Sequence, residues 1–68
     1  MSSYTIGDLA AHLQDERPHL KADEARGIVE LHIERIQKLR QDEIDDTHIS
    51  ERDAAAVLSS IFSARHTF

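Results

Sequence analysis

The sequence predicts an all-α fold of three helices, in which the middle helix is the longest and the other two cover its apolar side. Residues 22–41 contain no proline and one glycine. Apolar residues recur at helical spacing in three separate segments, and no stretch alternates in the manner of a β-strand. We therefore expect no strands, and helices at about 6–15, 22–41 and 50–64 in a single domain spanning 1–68.

The first helix is predicted by its two ends and by its apolar face. Thr5 stands at an N-cap position with Asp8 three residues later, which is the capping-box pattern. Pro18 disfavours the α conformation at the residue before it, so the helix should end near residue 15. The apolar positions that repeat between these limits are Ile6, Leu9, Ala10 and Leu13.

The central helix shows one wide apolar stripe and one isolated leucine. On a helical wheel the stripe contains Ile28, Val29, His32, Ile36 and Leu39, with Ile33 at its side. Acids at its start and bases at its end suit the helix dipole. Lys21 is a poor N-cap, so we expect Asp23 to serve instead. Leu31 points to the far side, near Gly27 and Arg35. A single exposed leucine is common in folded proteins, and a second contact surface for another chain is the alternative interpretation.

The third helix is predicted to open at Ser50, where Asp53 lies three residues later in a second capping-box pattern. An apolar face then follows at helical spacing: Ala54, Val57, Leu58, Ile61 and Phe62. A loop at 42–49 joins this helix to the central one, and we expect its single internal apolar residue, Ile44, to return to the core.

The net charge of −5 is concentrated in this loop and in the residues just after it. Residues 42–53 hold six acids and one base, whereas the remaining residues hold seven acids and seven bases. A nucleic-acid-binding domain is expected to carry a basic patch, and none is visible in the sequence. An acidic loop is usually only solvated, but it can also dock on a basic partner and steer its approach.

The sequence contains no residue pattern typical of catalysis, of a bound cofactor or of a metal site. Cysteine is absent, and no two of the five histidines have the i, i+3 or i, i+4 spacing of a helical ligand pair. No glycine-rich phosphate loop is present. His32, inside the apolar stripe, is expected to be a buried histidine held by a backbone or carboxylate partner; a register-fixing seam residue and a pH switch are the alternatives.

A chain of this length buries only about 60% of the surface that its unfolded form exposes, so its stability alone is marginal. Without disulfides or a metal, oligomerisation is the expected support. Residues 5–43, a short helix, the turn Pro18-His19-Leu20 and a long amphipathic helix, resemble the helical half of the HU/IHF family. In that family this hairpin builds the dimer core, and the resemblance implies an intertwined helical homodimer. No DNA-clasping arm or basic surface follows it here.

These observations favour a small non-enzymatic regulatory or inhibitory protein that acts by binding another protein. It is expected to be a cytoplasmic homodimer without a membrane span, of a kind suited to a bacterial or phage accessory factor. The alternatives are a DNA-binding transcriptional regulator that uses its second or third helix, and a purely structural subunit. The expected partner-binding residues are Asp42, Glu43, Asp45, Asp46, Leu31 and Arg35, and the expected dimer interface is Ile28, His32, Ile36 and Leu39.

Overall fold

The computed structural model describes residues 3–63 and confirms the mostly helical fold. Its elements in chain order are β1 (Ser3–Tyr4), α1 (Ile6–Glu16), α2 (Ala22–Arg40), β2 (Ile49–Ser50) and α3 (Glu51–Ser63). α1 and α2 begin at the expected residues, and α1 ends one residue later and α2 one residue earlier than expected. α3 begins one residue later than expected, and residue 64, its predicted end, lies outside the described residues. α2 packs against both other helices, which share few contacts with each other.

The expectation of no strands was wrong, because β1 and β2 form a two-stranded antiparallel sheet. Ser3 pairs with Ser50, and Tyr4 pairs with Ile49. Strands of two residues are too short to show an alternating pattern, which is the sequence signal for a strand. Each strand leads directly into a helix, so the sheet holds the start of α1 beside the start of α3.

The predicted cap at the start of α1 forms, and the predicted cap at the start of α2 is corrected. The Thr5 backbone N–H donates to the Asp8 carboxylate (3.0 Å), and the Asp8 N–H donates to the Thr5 hydroxyl (3.2 Å), which confirms the first capping box. At α2, Glu24 rather than Asp23 closes the turn, since its carboxylate accepts the Lys21 N–H at 3.0 Å. A glutamate three residues into the helix has the reach that this contact needs.

The C-terminus of α2 turns through a left-handed residue. Gln41 has φ 56° and ψ 39°, and its N–H donates to the carbonyl oxygen of Gln37. The N–H of Asp42 reaches the same oxygen at 3.2 Å. A non-glycine residue pays a steric cost in this conformation, and the turn sends the chain away from the helix axis into the acidic loop.

The core lies between the inner faces of the three helices and also includes loop residues. Its buried apolar members are Ile6, Leu9, Ala10, Leu13, Ala25, Val29, Ile33, Ile36, Ile44, Ile49, Ala54, Val57 and Ile61. The burial of Ile44 confirms the expectation that the acidic loop returns to the core. Leu39 was expected in the covered stripe, but 85% of it is exposed. It lies in the last turn of α2, about 70° from the centre of the buried face, beyond the cover of the neighbouring helices.

Candidate protein-binding surfaces

The acidic loop (42–49) is anchored to the core through Ile44, which lies between its four acids. Ile44 is 7% exposed, and its backbone N–H donates to the Gln37 side-chain oxygen at 2.8 Å. The acids around it are all exposed: Asp42, Glu43, Asp45 and Asp46. The loop therefore holds four predicted partner-binding carboxylates in solvent while its backbone is fixed to the core.

Asp45 organises the second half of this loop. Its carboxylate accepts the Thr47 N–H at 3.0 Å and the Thr47 hydroxyl at 2.8 Å, and its carbonyl oxygen accepts the His48 N–H at 3.1 Å. These donors to the carboxylate lower the pKa of Asp45 below its usual value. Asp45 is therefore both a turn-forming residue and a stable negative charge.

An ion pair ties the two ends of the loop together. The Arg40 guanidinium, at the end of α2, lies 2.7 Å from the Asp53 carboxylate in the first turn of α3. The Ser50 hydroxyl accepts the Asp53 N–H at 3.1 Å, so only half of the predicted second capping box forms. Because Arg40 neutralises Asp53, the unbalanced negative charge belongs to the loop itself.

The acidic surface continues from the loop onto the neighbouring side of α2. Asp46 shares the lining of a shallow cavity of about 220 Å³ with Glu30 and Glu34. Both glutamates also pair along the helix, Glu30 with Arg26 at 3.7 Å and Glu34 with Lys38 at 3.4 Å. Within residues 3–63, no group of three or more acids and histidines is arranged to hold a metal ion.

The face of α2 opposite the core carries what we call the outer stripe: Glu24, Gly27, Leu31, Arg35 and Lys38. All five residues are exposed, and Leu31 is 48% exposed. A Cβ added at Gly27 would meet no atom within 4 Å in the described chain. A glycine inside a helix costs about 1 kcal/mol relative to alanine. Packing within the described chain does not require a glycine at this position, so it does not explain this cost.

The basic residues of α2, which a DNA-binding role would need, are mostly paired with acids. Arg26, Lys38 and Arg40 each lie within 4.0 Å of a carboxylate. No ion pair to Arg35 is found among residues 3–63. The structure thus brings these bases together on α2 but leaves them interleaved with acids rather than gathered in a basic patch.

His32 has a partner that sequence reasoning did not identify. It is 7% exposed, and its Nδ1 lies 2.9 Å from the Ser60 hydroxyl of α3. The expected backbone or carboxylate partner is thus corrected to a serine, which is the polar group that α3 presents there. Burial, and then the charge of Arg35, lower the pKa of His32, which favours the neutral ring.

The four residues expected at the dimer interface do not share one exposed surface. His32 and Ile36 are buried within the chain, and Ile28 is half-buried. Only Leu39 is freely exposed. By contrast, Leu31 and Arg35, which were assigned to partner binding, lie next to each other on the outer stripe.

A third surface, between α1 and α3, was not predicted. Phe62 makes an edge contact with the His12 ring, at 6.5 Å between centroids, and the Arg17 guanidinium lies 5.5 Å from the Phe62 centroid. Beside the sheet, the same two helices leave an apolar groove of about 230 Å³ whose lining includes Tyr4 and Leu58. Helical periodicity predicts which residues of one helix face the core, but it cannot show that two helices leave a groove between them.

Comparison with known proteins found no matching family model, no matching curated protein and no matching solved structure. Over residues 3–63, none of the helices combines the length and the apolar character that crossing a bilayer requires.

Proposed function

We propose that this chain is a small non-enzymatic regulatory or inhibitory protein that acts as a homodimer by binding another protein. In this proposal the acidic loop docks on a basic surface of the partner. The observation that carries the proposal is the exposure of four carboxylates on a loop whose backbone is anchored by the burial of Ile44.

Anchoring favours binding because a loop that is already ordered loses little conformational freedom when a partner docks. A cluster of like charges also raises the rate of encounter with a surface of opposite charge, and this effect weakens as salt is added. The interaction should therefore be strong at low ionic strength and fall steeply over the range in which the Debye length shortens from about 30 to 8 Å.

The partner that best fits these charges is a protein whose basic surface otherwise holds phosphate groups. Carboxylates at fixed positions can occupy the sites where phosphate groups bind, since arginine forms bidentate hydrogen bonds with both groups. An inhibitor of a nucleic-acid-binding protein would work in this way, by competition at the basic site.

The test is affinity capture from an extract of the source organism, with quantitative mass spectrometry of the bound proteins. The loop variants D42N/E43Q and D45N/D46N remove charge, while asparagine at position 45 keeps an acceptor for the Thr47 contacts. The matched control is D15N/E16Q, which changes the same residue types at an exposed site on α1.

We expect specific partners to be lost with the loop variants and kept with D15N/E16Q. Equal capture by all three variants would contradict the acidic-docking role. The DNA-binding alternative is tested by fluorescence anisotropy with a mixed-sequence duplex at low salt. Binding that depends on Arg35 and Lys38 would favour that alternative instead.

A further inference from the structure

We infer that two copies of this chain pair through the outer stripe of α2, antiparallel, with the twofold axis at Leu31. This inference rests on the proposed homodimer and specifies the surface and the direction of pairing. It replaces the interface expected from the apolar stripe, because His32 and Ile36 are already covered within the chain.

The spacing of the outer stripe is symmetric about Leu31. Glu24 lies seven residues before Leu31 and Lys38 seven residues after it, while Gly27 and Arg35 lie four residues before and after. A twofold axis at Leu31 therefore sets Glu24 against Lys38 of the second copy, and Gly27 against Arg35 of the second copy. Each contact occurs twice, as an isologous interface requires.

Gly27 has a role in this arrangement that it lacks in the single chain. Because a Cβ there would meet nothing within 4 Å, the missing side chain is not needed for packing within the monomer. A glycine on a helix surface permits another backbone or a large side chain to approach closely. In the antiparallel pair it leaves room for the long Arg35 side chain, which would lie across it.

The charges of α2 select the antiparallel direction. Within the outer stripe the acid, Glu24, lies before Leu31, and the two bases, Arg35 and Lys38, lie after it. Antiparallel pairing sets these halves against each other, whereas parallel pairing sets like against like. Complementary flanking charges of this kind determine the orientation of paired helices.

The contacts that Glu24 and Lys38 make within the chain do not prevent this pairing. The Lys38–Glu34 pair is 3.4 Å long, with side chains 77% and 61% exposed, and such exposed pairs contribute little. Glu24 uses one carboxylate oxygen to accept the Lys21 N–H. A carboxylate has about four acceptor positions, so it can cap the helix and pair across the interface together.

The pairing also fixes where the acidic loops lie. Each loop begins just after Arg40, nine residues beyond Leu31. At about 1.5 Å per residue, the two ends of α2 would stand about 27 Å apart on opposite sides of the axis. The dimer would thus present two separated acidic loops, which increases the avidity for a partner that has two basic sites.

Disulfide trapping tests the direction of pairing, because the chain has no cysteine of its own. E24C and K38C are made separately, one carrying a mass tag, and are oxidised alone and as a mixture. A disulfide needs Cα atoms within about 7 Å, and residues 24 and 38 lie about 21 Å apart along one helix. We expect a cross-linked dimer only in the mixture. Equal cross-linking of either variant alone would overturn the antiparallel pairing.

Two exposed leucines on the same helix give a matched pair for the position of the interface. L31E places a charge on the axis, and L39E places it outside the outer stripe. By sedimentation over a dilution series, L31E should weaken dimerisation by at least about tenfold, or about 1.4 kcal/mol, and L39E by less than about twofold. Equal weakening by both variants, or a native chain that stays monomeric up to millimolar concentration, would overturn the inference.

Gly27→Ala separates the interface from helix stability. Alanine is the better helix former, so the diluted monomer should become more resistant to heat while the dimer becomes weaker. If Gly27→Ala raised both the thermal stability of the monomer and the affinity of the dimer, a close approach at Gly27 would be contradicted. The outcomes distinguish this inference from the proposed function: loss of cross-linking in a chain that still dimerises overturns only the interface, whereas capture unaffected by the loop variants overturns only the acidic docking.

Discussion

Ser60→Ala should destabilise the protein by leaving a buried histidine nitrogen without its partner. The His32–Ser60 contact is 2.9 Å long, and His32 is 7% exposed. An unsatisfied buried polar group costs about 1–3 kcal/mol. Ser60 is half-buried, so water can replace part of the contact, and we expect a loss of about 1 kcal/mol. For a domain of this size, that lowers the melting temperature by about 4–8 °C.

The matched control removes both polar groups. In H32L/S60A no nitrogen is left unpaired, and replacement of both partners by apolar groups is often nearly neutral. We therefore expect the double variant to be more stable than the sum of its single variants predicts. Thermal unfolding followed by far-UV circular dichroism, at one fixed protein concentration above pH 6.5, measures all four proteins. A neutral Ser60→Ala, or strictly additive single variants, would refute the role given to this contact.

Three further predictions concern the same fold. Because the pKa of His32 is lowered from 6.5, the unfolded chain binds the proton more readily, so stability should fall as the pH drops below 6.5; in H32L this part of a pH series of urea unfolding should flatten. Gln41→Gly should raise the free energy of unfolding by about 0.5–1 kcal/mol, since glycine tolerates the left-handed conformation; a loss would contradict the φ of 56°. Thr5→Ala should cost about 1 kcal/mol, whereas Thr5→Ser should retain most of the cap; equal unfolding midpoints for the two variants would argue against it.

The helices were predictable because their signals are local. The cap at Thr5, the stop before Pro18 and the return of Ile44 each follow from a few neighbouring residues, and the structure confirms all three. The sheet, the His32–Ser60 contact and the Arg40–Asp53 pair were not predicted. Both side-chain contacts join α2 to α3, and their formation depends on how these two helices pack against each other.

The candidate surfaces also combine features that local sequence predicts with features that depend on how the helices pack. Sequence alone predicted the exposed acids of the loop and the outward direction of Leu31, because charge and helical phase are properties of the chain. It also placed Leu39 with the buried stripe, since the wheel gives direction but not the extent of the neighbouring helix. Because Leu39 is exposed and lies outside the outer stripe, the L39E variant distinguishes an interface on the apolar stripe from one centred on Leu31.

The proposed activity depends on a loop that combines like charge with fixed geometry. Four carboxylates within five residues of chain repel one another, and a loop that was not anchored would reduce this repulsion by spreading. Here the burial of Ile44, the Gln37 contact, the Arg40–Asp53 pair and the β2 strand hold the backbone against that repulsion. Part of the stability of the core is thereby used to concentrate negative charge. A basic partner surface relieves the repulsion when it docks, so complementary charge favours the bound state beyond the direct ion pairs.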